Sequence, residues 1–301
     1  MRKKAEILII DDLSTESNLA IETGLYWASK LSCNPTLINL ERSDALISLD
    51  TKAEDEDLLS YIDEVRKKEK LLISKDRPRF FNENGIEPLF DFSDDIENII
   101  SKSVERKSKL IVVAFGKENS REDLFLGSSL SKLIRESKIP VLVVKDRAQL
   151  NTQKILLAFN INEVAMDAIE FASVICNFTD NSIVTPLHII NEVTYNSIKP
   201  RKLSQLATFT TDEVKRNLIN KIDKRLKQLS VDGSFTTESL VSLKKMNIDD
   251  CLASTIKMSE SDLVILGKNS ANSFFSAFKE SEIENLLNSV DQSLLIVKPF
   301  K

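Results

Sequence analysis

Residues 110–134 read LIVVAFGKENSREDLFLGSSLSKLI. An apolar run ends at Phe115, a polar loop follows, and Leu126, Gly127, Ser128 and Ser129 open a segment of helical pattern. Many proteins hold a phosphate with a strand, a loop, small residues and a helix start. Backbone N–H groups, hydroxyls and the positive end of the helix dipole all favour an anion there. Gly116 and Lys117 stand in the loop, and Lys117 would add a positive charge. A plainer reading exists for the same residues. Ser128 or Ser129 would cap the helix through residues 132–135, and Gly127 would be a turn glycine. Glycine supply bears on the choice, because phosphate loops need close backbone approach and often a positive φ. The chain has only six glycines, too few for two complete loops of this kind.

Other chemistries lack their parts. His188 is the only histidine, so a hydrolase triad or a histidine metal site has no partners, and a structural role at a strand end is expected. Cys33, Cys176 and Cys251 are odd in number and show neither metal-ligand nor redox spacing. They read as buried free thiols in a reducing compartment. No Gly-x-Ser-x-Gly, Gly-x-Gly-x-x-Gly or Walker loop occurs. The formal charge is -5, and Lys and Arg are scattered among Asp and Glu. That distribution excludes nucleic acid as the main partner, which would need clustered positive charge. No apolar run approaches the roughly 18 residues of a membrane helix, so no membrane span is expected. The start, MRKKAEILIIDD, reads as a first strand and not a signal peptide, and a cytoplasmic protein is expected.

The elements that must position these residues form a pattern that occurs twice. Short runs rich in Ile, Val and Leu lie at 7–10, 36–40, 110–115 and 141–144, and again at 155–159, 183–190, 263–266 and 294–297. Runs apolar on both faces suit parallel strands covered by helices. Helix-period segments lie between them. One is 18–31, with Leu19, Ile21, Leu25, Ala28 and Leu31, and Trp27 among apolar neighbours. Another is 164–175, with Ala168, Phe171, Ala172 and Ile175. The halves match in order: KKAEILIIDDLSTES with NTQKILLAFNINEVA, SKLIVVAFGK with SDLVILGKN, and KIPVLVVKD with DQSLLIVKPF. The chain therefore reads as a tandem duplication, 1–148 and 149–301, with its joint near residues 147–153. The expected fold is α/β, with two tandem doubly wound parallel-sheet domains of Rossmann-like type. Ligands of such sheets sit beyond the carboxyl ends of the strands. Each half has a variable middle, 50–91 and 191–233, and 52–72 and 211–229 carry helical patterns.

With that order established, the sequence resembles the universal stress protein family in its tandem two-domain form, from Ile7 to Pro299. Family domains begin with a strand ending in Asp-Gly-Ser, and here stand Ile10, Asp11, Asp12, Leu13 and Ser14. A family His-Val pair is matched by His188 and Ile189, and by Asn39 and Leu40 in the first half. The closing Pro-Val-Leu-Val-Val is present at residues 140–144. Nucleotide-binding members carry Gly-x2-Gly-x9-Gly-Ser/Thr. Counting back from Gly127 and Ser128 puts Ala114 and Lys117 at the first two glycine positions, while a loop two residues shorter would put Gly116 at the first. The resemblance thus implies a cofactor site at Asp12, Ser14, Leu40, Ala114, Gly116, Lys117, Gly127, Ser128 and Ser129. Asp12 would meet the ribose or its bound metal. In the second half Gly267 fits the first position, but Ser270 and Glu280 take the others and Asn160 replaces the aspartate. A carboxylate where a phosphate would lie is unfavourable. ATP with Mg²⁺ is therefore expected in the first domain at most, and no cofactor in the second.

Two functions follow from this resemblance. One is a stress-response regulatory and interaction module without turnover chemistry, its protein partners unidentified. The other is an ATP-binding, weakly hydrolysing protein that uses the first domain only. A homodimer through edge strands near 141–144 and 294–297 is implied, although a tandem chain can make that pairing internally. The paired acids of ILIIDDLSTESNLA also resemble a response-regulator receiver domain, with Asp50 after an apolar run. The expected Ser/Thr does not follow at the right distance, and the duplication accounts for far more of the chain.

Overall fold

Strand β1 (Glu6–Asp11) is buried along its whole length, so both faces of its sheet must be covered. The computed structural model describes residues 5–12, 14, 16–40, 89–93, 95–115, 124–145, 154–158, 166–178, 182–191, 216, 220, 240–244, 248–267 and 280–297. Packing divides the chain into two units, Met1–Ala114 and Phe115–Lys301.

In the first unit β1 is followed by α1 (Ser17–Lys30), β2 (Asn34–Leu40), β3 (Leu89–Ser93), α2 (Ile96–Glu105) and β4 (Leu110–Ala114). The strand order is β3-β2-β1-β4, all parallel. The β1–α1–β2 crossover moves one way from β1, and β3–α2–β4 returns to its other side. Right-handed crossovers in opposite directions place α1 and α2 on opposite faces and make β1/β4 the switch point of the sheet. Helix α1 packs on β1, β4 and β2. Gly24 permits this, since a Cβ there would lie 2.5 Å from Ile9 Cγ1. Asp95 starts α2 by accepting the Asn98 N–H at 2.6 Å. The helix ends in a turn with Lys107 at φ 54° and the Ser108 N–H on the Ser103 carbonyl at 2.9 Å.

The second unit holds α3 (Leu124–Glu136), β5 (Val141–Val144), β6 (Lys154–Ala158), α4 (Met166–Phe178) and β7 (Ile183–Asn191). It continues with β8 (Leu240–Lys244), α5 (Ile248–Ser259), β9 (Leu263–Gly267), α6 (Glu280–Ser289) and β10 (Ser293–Val297). Its order β8-β7-β6-β9 repeats β3-β2-β1-β4 strand for strand, and β10 follows in parallel beside β9. Both units are thus α/β with doubly wound, mostly parallel sheets. Strand β5 joins β10 antiparallel, with Leu142 opposite its own repeat equivalent Leu295. The pairing Val143 to Leu294 is mirrored by Val141 to Ile296, so the two strands meet as equals. At the end of β5 the buried Lys145 donates through Nζ to the Leu287 carbonyl near the C-terminus of α6. There the helix dipole favours a cation. Its Nζ also lies 3.8 Å from the centre of the Phe115 ring.

One expected element begins elsewhere. Helix α3 starts at Leu124, ahead of Gly127, so Ser128 and Ser129 are inside it and neither is its cap. The reason is hydrophobic spacing: Leu126, Leu130, Leu133 and Ile134 already share one face. The helical pattern at 52–72 lies outside the described residues. Of the pattern at 211–229, only Arg216 and Asn220 are described, both helical.

Candidate functional site

At the carboxyl end of β1 the chain must turn from strand into α1, and short polar side chains make that turn. Asp12 Oδ1 accepts both the Ser14 N–H at 3.1 Å and the Ser14 hydroxyl at 2.6 Å. The Ser14 Oγ in turn accepts the Ser17 N–H at 3.1 Å. Ser14 thereby does the capping work at the start of α1, where Glu16 makes no side-chain cap. The Ser17 hydroxyl lies 2.7 Å from both Asp11 Oδ1 and the Ser14 carbonyl. Asp11 is fully buried, whereas Asp12 is partly open. One oxygen of Asp12 is thus fixed by the turn, and the other has no partner among the described residues. A fixed, half-exposed carboxylate at a sheet's switch point is an acceptor ready for ligand hydroxyls or N–H groups.

Strand β2 ends beside this turn. Its register sets Asn39 opposite Asp11, so the two side chains rise from the same face of the sheet. Asn39 is 5% exposed, and its Nδ2 is buried without a hydrogen-bond partner. Leu40 closes β2, and the half-buried Ala114 closes β4 on the other side of β1. The first unit therefore brings Asp12, Ser14, Leu40 and Ala114 to one end of one sheet. Gly116 and Lys117 lie outside the described residues. Gly127, Ser128 and the half-buried Ser129 sit in the first turns of α3. Among the described residues no group of three His, Cys, Asp or Glu side chains could hold a metal ion.

In the second repeat, Gly267 is the buried last residue of β9 and Glu280 is the first residue of α6. Asn160 and Ser270 lie outside the described residues. Register places His188 of β7 at the position of Asn39: Lys154 pairs with Ile183 as Glu6 pairs with Asn34. Sequence reasoning missed Asp11, Ser17 and the solitary amide of Asn39. A polar residue ending an otherwise apolar strand was the available signal.

Cys33 and Cys176 behave as small apolar groups. Burial pushes the Cys176 thiol up to about 11, and burial raises Cys33 against an opposing pull from Lys109. No helix among the described residues is long and apolar enough to cross a membrane.

Residues 5–145 match the model of the Universal stress protein family. The chain is similar in fold to a universal stress protein from Archaeoglobus fulgidus DSM 4304, at 16% identity and a TM-score of 0.63, covering 97% of this chain and 96% of that one. It is also similar to a putative universal stress protein from Pseudomonas aeruginosa UCBPP-PA14, at 12% identity and a TM-score of 0.54, covering 98% of this chain and 94% of that one. No curated protein matches.

Proposed function

We propose that this chain, whose residues 5–145 match the Universal stress protein family, is a tandem member of that family and a cytoplasmic stress-response regulatory and interaction module in which only the first repeat still takes a nucleotide. The carrying observation is the Asp12–Ser14 turn: it fixes one carboxylate oxygen and leaves the other open at the carboxyl end of β1. A ribose offers adjacent hydroxyls that such an oxygen accepts. The second repeat lacks the aspartate, having Asn160, and has Glu280 where the first has Gly127. A glutamate at the first position of α6 suits the helix dipole itself and repels a phosphate. The module acts by binding and shape, with at most slow ATP hydrolysis.

Isothermal titration of the full chain with ATP and Mg²⁺ tests this reading. Binding near one nucleotide per chain is expected, weakened at least about tenfold by Asp12→Ala, which removes a charged acceptor. Absence of heat and of thermal stabilisation at millimolar ATP would sink the reading. We further propose that any homodimer forms at strand edges other than β5 and β10, which already pair with each other. A monomer in light scattering would remove that partner.

A further inference from the structure

Lys and Arg are scattered along the sequence, but folding gathers some of them at the amino end of the first sheet. Lys30 closes α1, Lys102 lies in the last turn of α2, and Arg106, Lys107 and Lys109 lead from that helix into β4. The Lys109 N–H on the Glu6 carbonyl and the Asn34 N–H on the Ala5 carbonyl, both at 2.8 Å, tie the segments after α2 and α1 to the start of β1. Burial raises the Cys33 thiol, and Lys109 is near enough to oppose the rise. Lys30, Lys107 and Lys109 are exposed, and Lys102 and Arg106 are half-buried. Among the described residues the carboxylates at this end are Glu6, buried beside Arg106, and the exposed Glu105.

Cations at a helix C-terminus often serve only the helix dipole. The second repeat is a built-in control for that role. Helix α5 enters β9 through the same kind of turn, with Glu260 at positive φ as Lys107 is, and with the Asp262 N–H on the Lys154 carbonyl. Yet Phe178, Thr255, Ser259, Glu260 and Asp262 stand where the first repeat has Lys30, Lys102, Arg106, Lys107 and Lys109. There the turn forms without any of the five cations. We infer that the amino end of the first sheet is a docking surface for an acidic peptide segment of a partner protein. It lies at the opposite end of β1 from the Asp12–Ser14 turn, so it gives the interaction role proposed above a kind of partner without using the nucleotide site. The whole chain has a formal charge of -5, so the rest of it carries the excess of acid. A membrane or a nucleic acid extends well past the screening length of about 8 Å and would meet that acid, whereas a short acidic segment meets only the cations. Four of the five are lysines, which attract carboxylates as point charges and lack the arginine fork that suits phosphates. Exposed lysine contacts are weak singly and screened by salt, so the complex is fast to form and sensitive to salt.

The test is fluorescence anisotropy of a labelled oligoglutamate peptide titrated with the full chain. Binding is expected at about 50 mM salt and its loss by about 500 mM. Lys107→Glu combined with Lys109→Asp writes the second repeat's turn into the first and should weaken binding at least about tenfold. Lys30→Gln combined with Lys107→Gln changes only exposed side chains and should weaken it about threefold, with an unchanged melting temperature. This second pair decides the matter if the first disturbs folding. Its ATP titration should match that of the wild type, so loss of the peptide and loss of the nucleotide are separate results, and a wild type that binds no ATP leaves the docking surface standing. No peptide binding at low salt, or equal binding by wild type and both variants, would overturn the inference. So would binding of oligo(dT), or of vesicles of phosphatidylserine and phosphatidylcholine, by a chain that ignores the peptide.

Discussion

Glu6 and Lys154 occupy the same place in the two repeats, the first residue of the first strand, yet carry opposite charges. Each carbonyl accepts an equivalent N–H, from Lys109 in one repeat and Asp262 in the other, both at 2.8 Å. Each side chain finds its opposite: Glu6 lies 3.7 Å from Arg106, and Lys154 lies 3.6 Å from Glu260. The turns that supply these partners match as well, with Lys107 and Glu260 both at positive φ. The amino ends of the strands thus ask for complementarity and accept either sign. At the carboxyl ends the sequences of the repeats differ, Asp12 against Asn160, Asn39 against His188, Gly127 against Glu280.

The inverted pairs differ in burial, and that predicts unequal responses to reversal. Glu6 is buried and also accepts the Thr36 hydroxyl at 3.1 Å, whereas the side chains of Lys154 and Glu260 are 56% and 82% exposed. Glu6→Lys should cost about 2–3 kcal/mol, because it leaves a buried charge among cations. Arg106→Glu added to it should recover part of the loss. Lys154→Glu should cost no more than about 0.5 kcal/mol. Urea denaturation at neutral pH reads all three. Equal costs for the two reversals would mean the ion pairs do not distinguish the repeats.

A second contrast lies under the first helix of each repeat, where Gly24 of α1 corresponds to Ala172 of α4. A methyl on Gly24 meets the branched side chain of Ile9, whereas Ala172 is fully buried above a strand that carries Leu157 at the matching position. Gly24→Ala should therefore cost about 1–2 kcal/mol from overpacking, although alanine favours helix by about 1 kcal/mol. Ile9→Leu, which copies the second repeat, should reduce that cost. If Gly24→Ala proves stabilising on its own, α1 does not sit as closely on β1 as its backbone shows.

Eight of the ten described strands were legible because each centres on an apolar run, buried throughout at residues 7–10 and 263–266, whereas β3 and β8 were not, since Asp91 and Ser242 interrupt their apolar residues. Asp12 and Ser14 were singled out by their resemblance to the family's Asp-Gly-Ser, and the structure joins them by hydrogen bonds. Asn39 was not. Its solitude depends on the register of β2 against β1, which sequence spacing within one strand does not encode. The start of α3 was misplaced because small residues look like a helix beginning, while the helix already runs from Leu124. The role of Lys145 on the Leu287 carbonyl depends on the antiparallel β5–β10 pairing, which spacing within one strand does not encode.

The smallest contrast is a single thiol. Cys176 in α4 takes the place of Ala28 in α1, both buried, so only the second repeat has an ionisable group there. Burial raises its folded value to about 11 from the ordinary 9.0. The folded state then keeps its proton where the unfolded state has lost it. At neutral pH both states are protonated and the thiol contributes no pH dependence. As pH rises from about 9 towards 11 the unfolded chain gains a favourable ionisation that the folded chain is denied, and stability falls. Cys33 is raised in the same direction, in the first repeat. Cys176→Ala should therefore flatten, without abolishing, the alkaline decline in urea midpoint between pH 8 and pH 10.5, and native Cys176 should resist alkylation in that range. Identical declines for variant and wild type would show that the thiol is no more ionisable when unfolded, and that the two helices are equivalent at this position after all.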